Sequence, residues 1–253
     1  HREAQRETES GGQAVITLPK TVITAREVDP KLMLIYGPPK VGKTTILAAL
    51  PNCLVIDTED GSDYISALKL KVSKFDELRE ACAAIVAAGR PYDFVALDTI
   101  TRVEDWCETR ATQLYKETVI GKSFSGKTVL ELPQGSGYFW LRRAFDEVLA
   151  MIIPTAKRVI LVGHLREKFL GGKDAKLDSS VSTKDLDLTG KIKQIACSRS
   201  DAIGYVHRDP ATAKLFVSFE STEQINCGSR CAHLKGKKME FEWSAIYTSL
   251  KII

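Results

Sequence analysis

The 253-residue chain is 44% hydrophobic and carries a net charge of +4, with 36 Lys and Arg against 32 Asp and Glu. That size suits one large α/β domain or a core with a small appendage, and so mild a charge means that any nucleic-acid site must rest on local clusters rather than bulk basicity. No apolar run reaches the length of a membrane span and no secretory leader pattern opens the chain; six cysteines scattered in apolar or helical contexts suit a reducing cytosol.

His1 to Gln13 is polar and charged and reads as an unstructured arm. Ala14–Leu18 and Thr21–Ala25 are β-rich pieces broken by Pro19. Two readings stand for them: edge strands of this chain, or an arm that adds to a neighbour's sheet. Residues 1–30 are thus set apart as an N-terminal arm, and 31–253 as the core.

Leu32–Tyr36 is a short apolar run that predicts a buried strand, and Ile46–Leu50 predicts a helix. Between them Gly37, Pro38, Pro39, Lys40, Val41, Gly42, Lys43 and Thr44, with Thr45 beyond, match the phosphate-binding loop G-x-x-x-x-G-K-[ST]. The glycines allow backbone angles that let successive N–H groups curl round a phosphate. Lys43 offers a point charge to the β- and γ-phosphates, and the Thr44 hydroxyl a ligand for Mg²⁺. The chain is expected to bind a nucleoside triphosphate.

Cys53–Asp57 predicts a second buried strand ending in Thr58-Glu59-Asp60-Gly61, followed by a helix from about Asp76 to Ala88. Tyr92–Thr99 predicts a third strand whose Asp98 closes an apolar run as a Walker B aspartate does, beside the metal that Thr44 would bind. A guanine reader of the [NT]-K-x-D form is lacking, since Thr183-Lys184-Asp185-Leu186 fails at its last position, so adenine is the expected base.

Val103–Lys116 predicts a helix, and Glu117–Gly137 then loses its pattern while holding Lys122, Phe124 and Lys127. Tyr138–Ile153 predicts an amphipathic helix and Lys157–His164 a fourth buried strand. A second patternless segment, Leu165–Thr189, carries Arg166, Lys168, Phe169, Lys173 and Lys176 among several acids. Both are read as loops leaving the phosphate-loop end of the sheet. Basic residues with an aromatic suit single-stranded DNA; a pair of solvated lids is the other reading. Ala202–His207 and Lys214–Phe219 predict a hairpin, after which Arg230 follows Gly228-Ser229.

Together the phosphate loop, Asp57-Thr58-Glu59, Asp98-Thr99, Gly163-His164 and the late hairpin resemble the ATPase core of the RecA superfamily, and more narrowly the short phage-encoded RecA-core ATPases of single-strand annealing and recombination. The resemblance implies an α/β fold, a largely parallel central sheet flanked by helices with a C-terminal β-hairpin or meander. It implies ATP and Mg²⁺ as cofactors, a homo-oligomeric ring or filament, and two mobile loops toward DNA. With the cysteine pattern and the lack of a membrane-length apolar run, the expected setting is the cytoplasm and not a membrane, with single-stranded DNA as partner and a single-strand-binding protein as a further one. AAA+ loaders place their activating Glu immediately after the Walker B Asp, where this chain has Thr99; RecA-type enzymes place it after the second strand, where Glu59 stands. By the same resemblance His164 occupies a γ-phosphate sensor position usually held by Gln, and Arg230 is similar to an arginine finger that reaches a neighbour's ATP. Two other classes stay open: a nucleotide-switched assembly protein without DNA, and a packaging or helicase-like motor.

Overall fold

The computed structural model describes residues 18, 20–25, 27–170 and 181–249. Among the described residues ten strands form one sheet: β1 (Leu32–Gly37), β2 (Cys53–Asp57), β3 (Leu68–Lys71), β4 (Phe94–Asp98), β5 (Arg158–Leu170), β6 (Val181–Leu186), β7 (Ala202–Arg208), β8 (Leu215–Ser218), β9 (Gly228–Ser229) and β10 (Lys238–Glu240). The helices are α1 (Lys43–Ala48), α2 (Phe75–Ala87), α3 (Ile100–Lys116), α4 (Gly137–Ile152), α5 (Gly190–Arg199) and α6 (Trp243–Ile246). The main path runs β10-β8-β7-β1-β5-β4-β2-β3, parallel from β7 to β3 and antiparallel at the late end. The fold is therefore α/β with a mostly parallel, open sheet, as expected.

Every residue of β1, β2 and β4 is buried, because helices cover both faces and leave no polar side to alternate with. Successive side chains point to opposite faces. Leu32, Leu34 and Tyr36 pack with Leu78 of α2, Val103 of α3, Phe145 of α4 and Ile192 of α5, whereas Met33 and Ile35 pack with Leu47 of α1 and Trp243 of α6. The C-terminal segment is tied to the start of the core by the buried Asp29, whose carboxylate accepts from the Thr248 N–H (3.0 Å), the Thr248 hydroxyl (3.1 Å) and both the N–H and hydroxyl of Ser249.

The structure corrects both stretches read as patternless. Leu165 to Leu170 continues β5, and β6 pairs back on it with Arg166 opposite Asp185 and Glu167 opposite Lys184. The ribbon is polar along these positions and has no apolar run to announce it; Arg166 forms an ion pair with Asp187, and Asp185 with Lys193 of α5. The earlier segment holds three single turns of 3-10 helix, and the fully buried Val129 donates its N–H to Thr112 Oγ1 at 3.1 Å. No described helix is long and apolar enough to cross a membrane. Of the N-terminal arm, residues 1–17 lie outside the described residues.

Candidate active site

The strand order sets the site. β5 separates β1 from β4, and β2 lies beyond β4, so the C-terminal ends of four strands converge on one cavity. This cavity of about 340 Å³ is lined by Pro39, Lys40, Gly42, Lys43, Thr44, Thr45, Asp57, Glu59, Asp98, Thr99 and His164, among others. Nearly all the catalytic and nucleotide-binding candidates named from the sequence are thus brought together. Gly37, Pro38 and Val41 complete the loop behind them.

Glycine is required at two loop positions for different reasons. A Cβ on Gly37 would lie 2.3 Å from the Val206 carbonyl oxygen, so the loop's first turn presses directly on β7. Gly42 adopts φ +114, which L side chains rarely take, and leads straight into α1. The buried Lys43 ammonium donates to the Gly37 carbonyl at 2.9 Å and the Pro38 carbonyl at 2.8 Å, which holds it inside its own loop. Burial depresses its pKa, against the pull of Asp98 and Glu59.

Thr44 Oγ1 donates to Asp98 Oδ2 at 2.6 Å, across the space between α1 and β4. Burial raises the Asp98 pKa, against the Thr44 hydrogen bond and the Lys43 charge, which both lower it. Two oxygens so placed, one hydroxyl and one carboxylate, suit Mg²⁺, which takes oxygen ligands and binds through one or two protein groups plus phosphates and water.

Glu59 sits on the loop after β2, shaped by a residue to which sequence reasoning gave no role. The Asp57 carboxylate accepts from the N–H groups of Glu59 (2.9 Å), Gly61 (3.3 Å) and Ser62 (2.8 Å). Asp57 is buried, which raises its pKa, but these bonds outweigh burial and hold it below the ordinary value. An aspartate bonding backbone N–H groups just ahead is a local turn device, legible in Asp57-x-x-Asp60-Gly61. The Glu59 carboxylate accepts from Thr99 Oγ1 at 2.8 Å and from His164 Nε2 at 3.0 Å. The histidine bond is the chief cause of its lowered pKa. Thr99 also caps α3 by accepting the Arg102 N–H at 3.2 Å, and Thr58 Oγ1 accepts the Thr99 N–H at 2.7 Å.

Arg230 lies elsewhere. Its guanidinium bonds Asp201 Oδ1 at 3.4 Å and the Ser198 carbonyl, and Asp201 in turn accepts the N–H groups of Lys31 and Leu32, where β1 begins. The six residues of β1 separate it from the phosphate loop, a length of about 20 Å. Arg230 does not reach the site of its own chain.

The DNA candidates divide. Lys168 is exposed on the β5–β6 ribbon, and Arg166 forms an ion pair with Asp187 at 2.7 Å. Lys173, Lys176 and the Phe169 side chain lie outside the described residues. Phe124 is not a free ring: it is half-buried, edge-on to Tyr115 with centroids 5.3 Å apart. Tyr115 is sixteen residues along from Thr99, about 24 Å of helix. Lys122 and Lys127 are exposed on the same segment, which leaves from the far end of α3 and not, as expected, from the catalytic end. What that segment brings back is a second cavity of about 490 Å³ lined by Gln134, Tyr138, Arg142, Thr189, Gly190 and Lys191.

A comparison with curated protein sequences gave no significant match. Among solved structures, a RadB recombinase is 14% identical over 87% of this chain and 90% of that chain, with a TM-score of 0.47. A family model described as an AAA domain matches residues 29–231, a span that takes in the phosphate loop, Glu59, Asp98, His164 and Arg230. By its sequence as well as by the geometry of its phosphate loop, the chain belongs to this family of AAA-domain P-loop ATPases.

Proposed function

We propose that this ATPase uses ATP with Mg²⁺ while bound to single-stranded DNA, as a homo-oligomer in the cytoplasm, in annealing or homologous recombination of the kind phages encode. When bound, the metal would neutralise charge on the phosphates; Thr44 and Asp98 are the residues to hold it. Lys43 binds the phosphates, and Glu59 orients the attacking water and takes its proton. His164 and Thr99 aim that carboxylate.

One observation favours DNA as the second ligand. His164, in contact with Glu59, is the residue from which the polar β5–β6 ribbon departs, and its carbonyl accepts the Asp187 N–H at 2.9 Å where the ribbon returns. Beside it, Tyr138, Arg142 and Lys191 combine a ring with two cations, the chemistry that holds single strands. In this reading Arg166 and Lys168, with Lys173 and Lys176 beyond the described residues, line the same path. A single-strand-binding protein is a partner this role would call for.

The nucleotide-switch reading draws on the Arg166–Asp187 ion pair and the packed Phe124, both of which remove expected DNA contacts. The deciding experiment measures ATPase rate with and without single-stranded DNA, alongside DNA affinity as a function of salt. Stimulation with a salt-dependent affinity supports the DNA reading; neither effect transfers the function to assembly control.

A further inference from the structure

Arg208 ends β7, on the opposite side of β1 from Glu59, Asp98 and His164. Its Nη1 donates to the Ala213 carbonyl at 2.8 Å. The turn that carries this acceptor is itself tied, with Ala213 N–H on the Asp209 carbonyl (2.8 Å), Asp209 N–H on the Lys214 carbonyl (2.9 Å) and Ala211 N–H on Asp209 Oδ1 (2.8 Å). The other end of the guanidinium faces the phosphate loop: a Cβ built on Gly42 would lie 3.3 Å from Arg208 Nη2. The residue is exposed, and among the described residues the only hydrogen-bond partner of its side chain is that backbone carbonyl. A planar cation, held at one nitrogen and exposed, is therefore presented beside the loop.

The sheet order says which part of a nucleotide it meets. Glu59 follows β2, Asp98 ends β4 and His164 lies on β5, all to one side of β1. β7 is on the other side, parallel to β1 with Tyr36 level with Tyr205. A nucleotide laid across the phosphate loop with its terminal phosphate toward Glu59 carries its nucleoside toward β7. We infer that Arg208 is a nucleoside-binding residue of this site, stacking its guanidinium plane on the purine of the bound triphosphate. The inference rests on the ATPase reading of the cavity, and it adds a specificity element on a strand that the phosphate-loop motif does not include. A planar, weakly hydrated guanidinium suits a ring face in a way an ammonium does not.

The test measures equilibrium binding of ATP and of inorganic tripolyphosphate, each with Mg²⁺, to wild type and to Arg208→Ala, Arg208→Lys and Arg208→Gln. ATP affinity should fall roughly tenfold in the Ala and Lys variants, the scale of one cation–π contact, while tripolyphosphate affinity stays within twofold of wild type. The Gln variant keeps a donor for the Ala213 carbonyl, so a drop there too separates the absence of stacking from a disturbed turn, with melting temperature as the fold control. Equal losses for ATP and tripolyphosphate would make Arg208 a phosphate ligand and overturn the assignment. So would full recovery by lysine, or unchanged ATP affinity in all three variants. If wild type itself binds neither ligand, or Lys43→Ala binds both normally, the ATPase reading fails instead.

Discussion

Thr99 donates its hydroxyl to Glu59 at 2.8 Å, joining the residue after the Walker B aspartate to the acid on the neighbouring strand's loop. The position where AAA+ loaders carry their own glutamate here steers a glutamate that arrives from β2. Glu59→Gln should preserve nucleotide binding and lower turnover by about 10²- to 10⁴-fold, the usual scale for removing a general base. Lys43→Ala should instead weaken binding. Wild-type turnover by Glu59→Gln, measured at saturating ATP, would remove Glu59 from the chemistry.

His164 holds the Glu59 carboxylate ionised below its ordinary range by donating to it. Removing that donor in His164→Ala lets the pKa climb back, so the acid limb of the kcat–pH profile should move to higher pH. His164→Gln, which retains an N–H donor, should restore most of the wild-type profile. Identical profiles for all three proteins would leave the histidine a packing residue.

If Arg230 serves the neighbouring subunit, its distance from its own phosphate loop is what the arrangement requires. Arg230→Ala should then lose activity on the scale of an arginine finger, about 10³- to 10⁵-fold. Mixing it with Lys43→Ala should recover part of the rate, because some interfaces pair an intact loop with an intact arginine. Full activity of assembled Arg230→Ala would make its Asp201 contact purely architectural.

Neutralising Arg166 and Lys168 together should weaken single-strand binding and reduce the slope of log affinity against log salt by about 0.7 for each phosphate that the protein no longer neutralises. Phe124→Ala should behave differently. Because the ring packs on Tyr115, its removal should cost about 1 kcal/mol of stability and leave DNA affinity unaltered. A DNA-binding defect in a normally stable Phe124→Ala protein would reverse that assignment.

Asp29 offers a test remote from catalysis. Burial raises its pKa, but the bonds from Ser249 and Thr248 outweigh burial and leave the carboxylate below its ordinary value. Its stabilising contribution is therefore complete above the unfolded-state pKa, about 3.9, and is lost as pH falls through the lower folded value. Asp29→Asn should cost about 2 kcal/mol at neutral pH, and the deficit should shrink in acid. Denaturant melts at pH 7 and pH 3 would measure both; an equal deficit at the two pH values would contradict the ionic origin.

What could be read from the chain follows from how each element is stabilised. β1, β2 and β4 are covered on both faces, so they stand out as unbroken apolar runs, and α2 to α4 carry helical spacing because each buries one stripe. β3 and the β5–β6 ribbon have no such pattern: Leu68 and Leu70 of β3 are exposed, and the ribbon sets Arg166, Glu167 and Lys168 opposite Asp185, Lys184 and Thr183. The phosphate loop, Glu59 and Asp98 were legible because motif and strand order determine them together. Thr99 and Arg208 were not, since each matters only through a partner, forty residues away for Thr99 and more than a hundred and sixty for Arg208.

The position of β1 also governs when the molecule can first hold its ligand. Its two neighbours, β5 and β7, begin only at Arg158 and Ala202. A ribosome that has finished the phosphate loop must add the chain through Arg208 before that loop has a bed to lie on, roughly 10 to 30 s of synthesis. Until β5 is made the strand is an apolar ribbon with both edges bare, and until β7 follows one edge stays open, a state prone to mispairing. A nucleotide that binds the completed arrangement and not the unfinished one would draw the new chain toward its finished form.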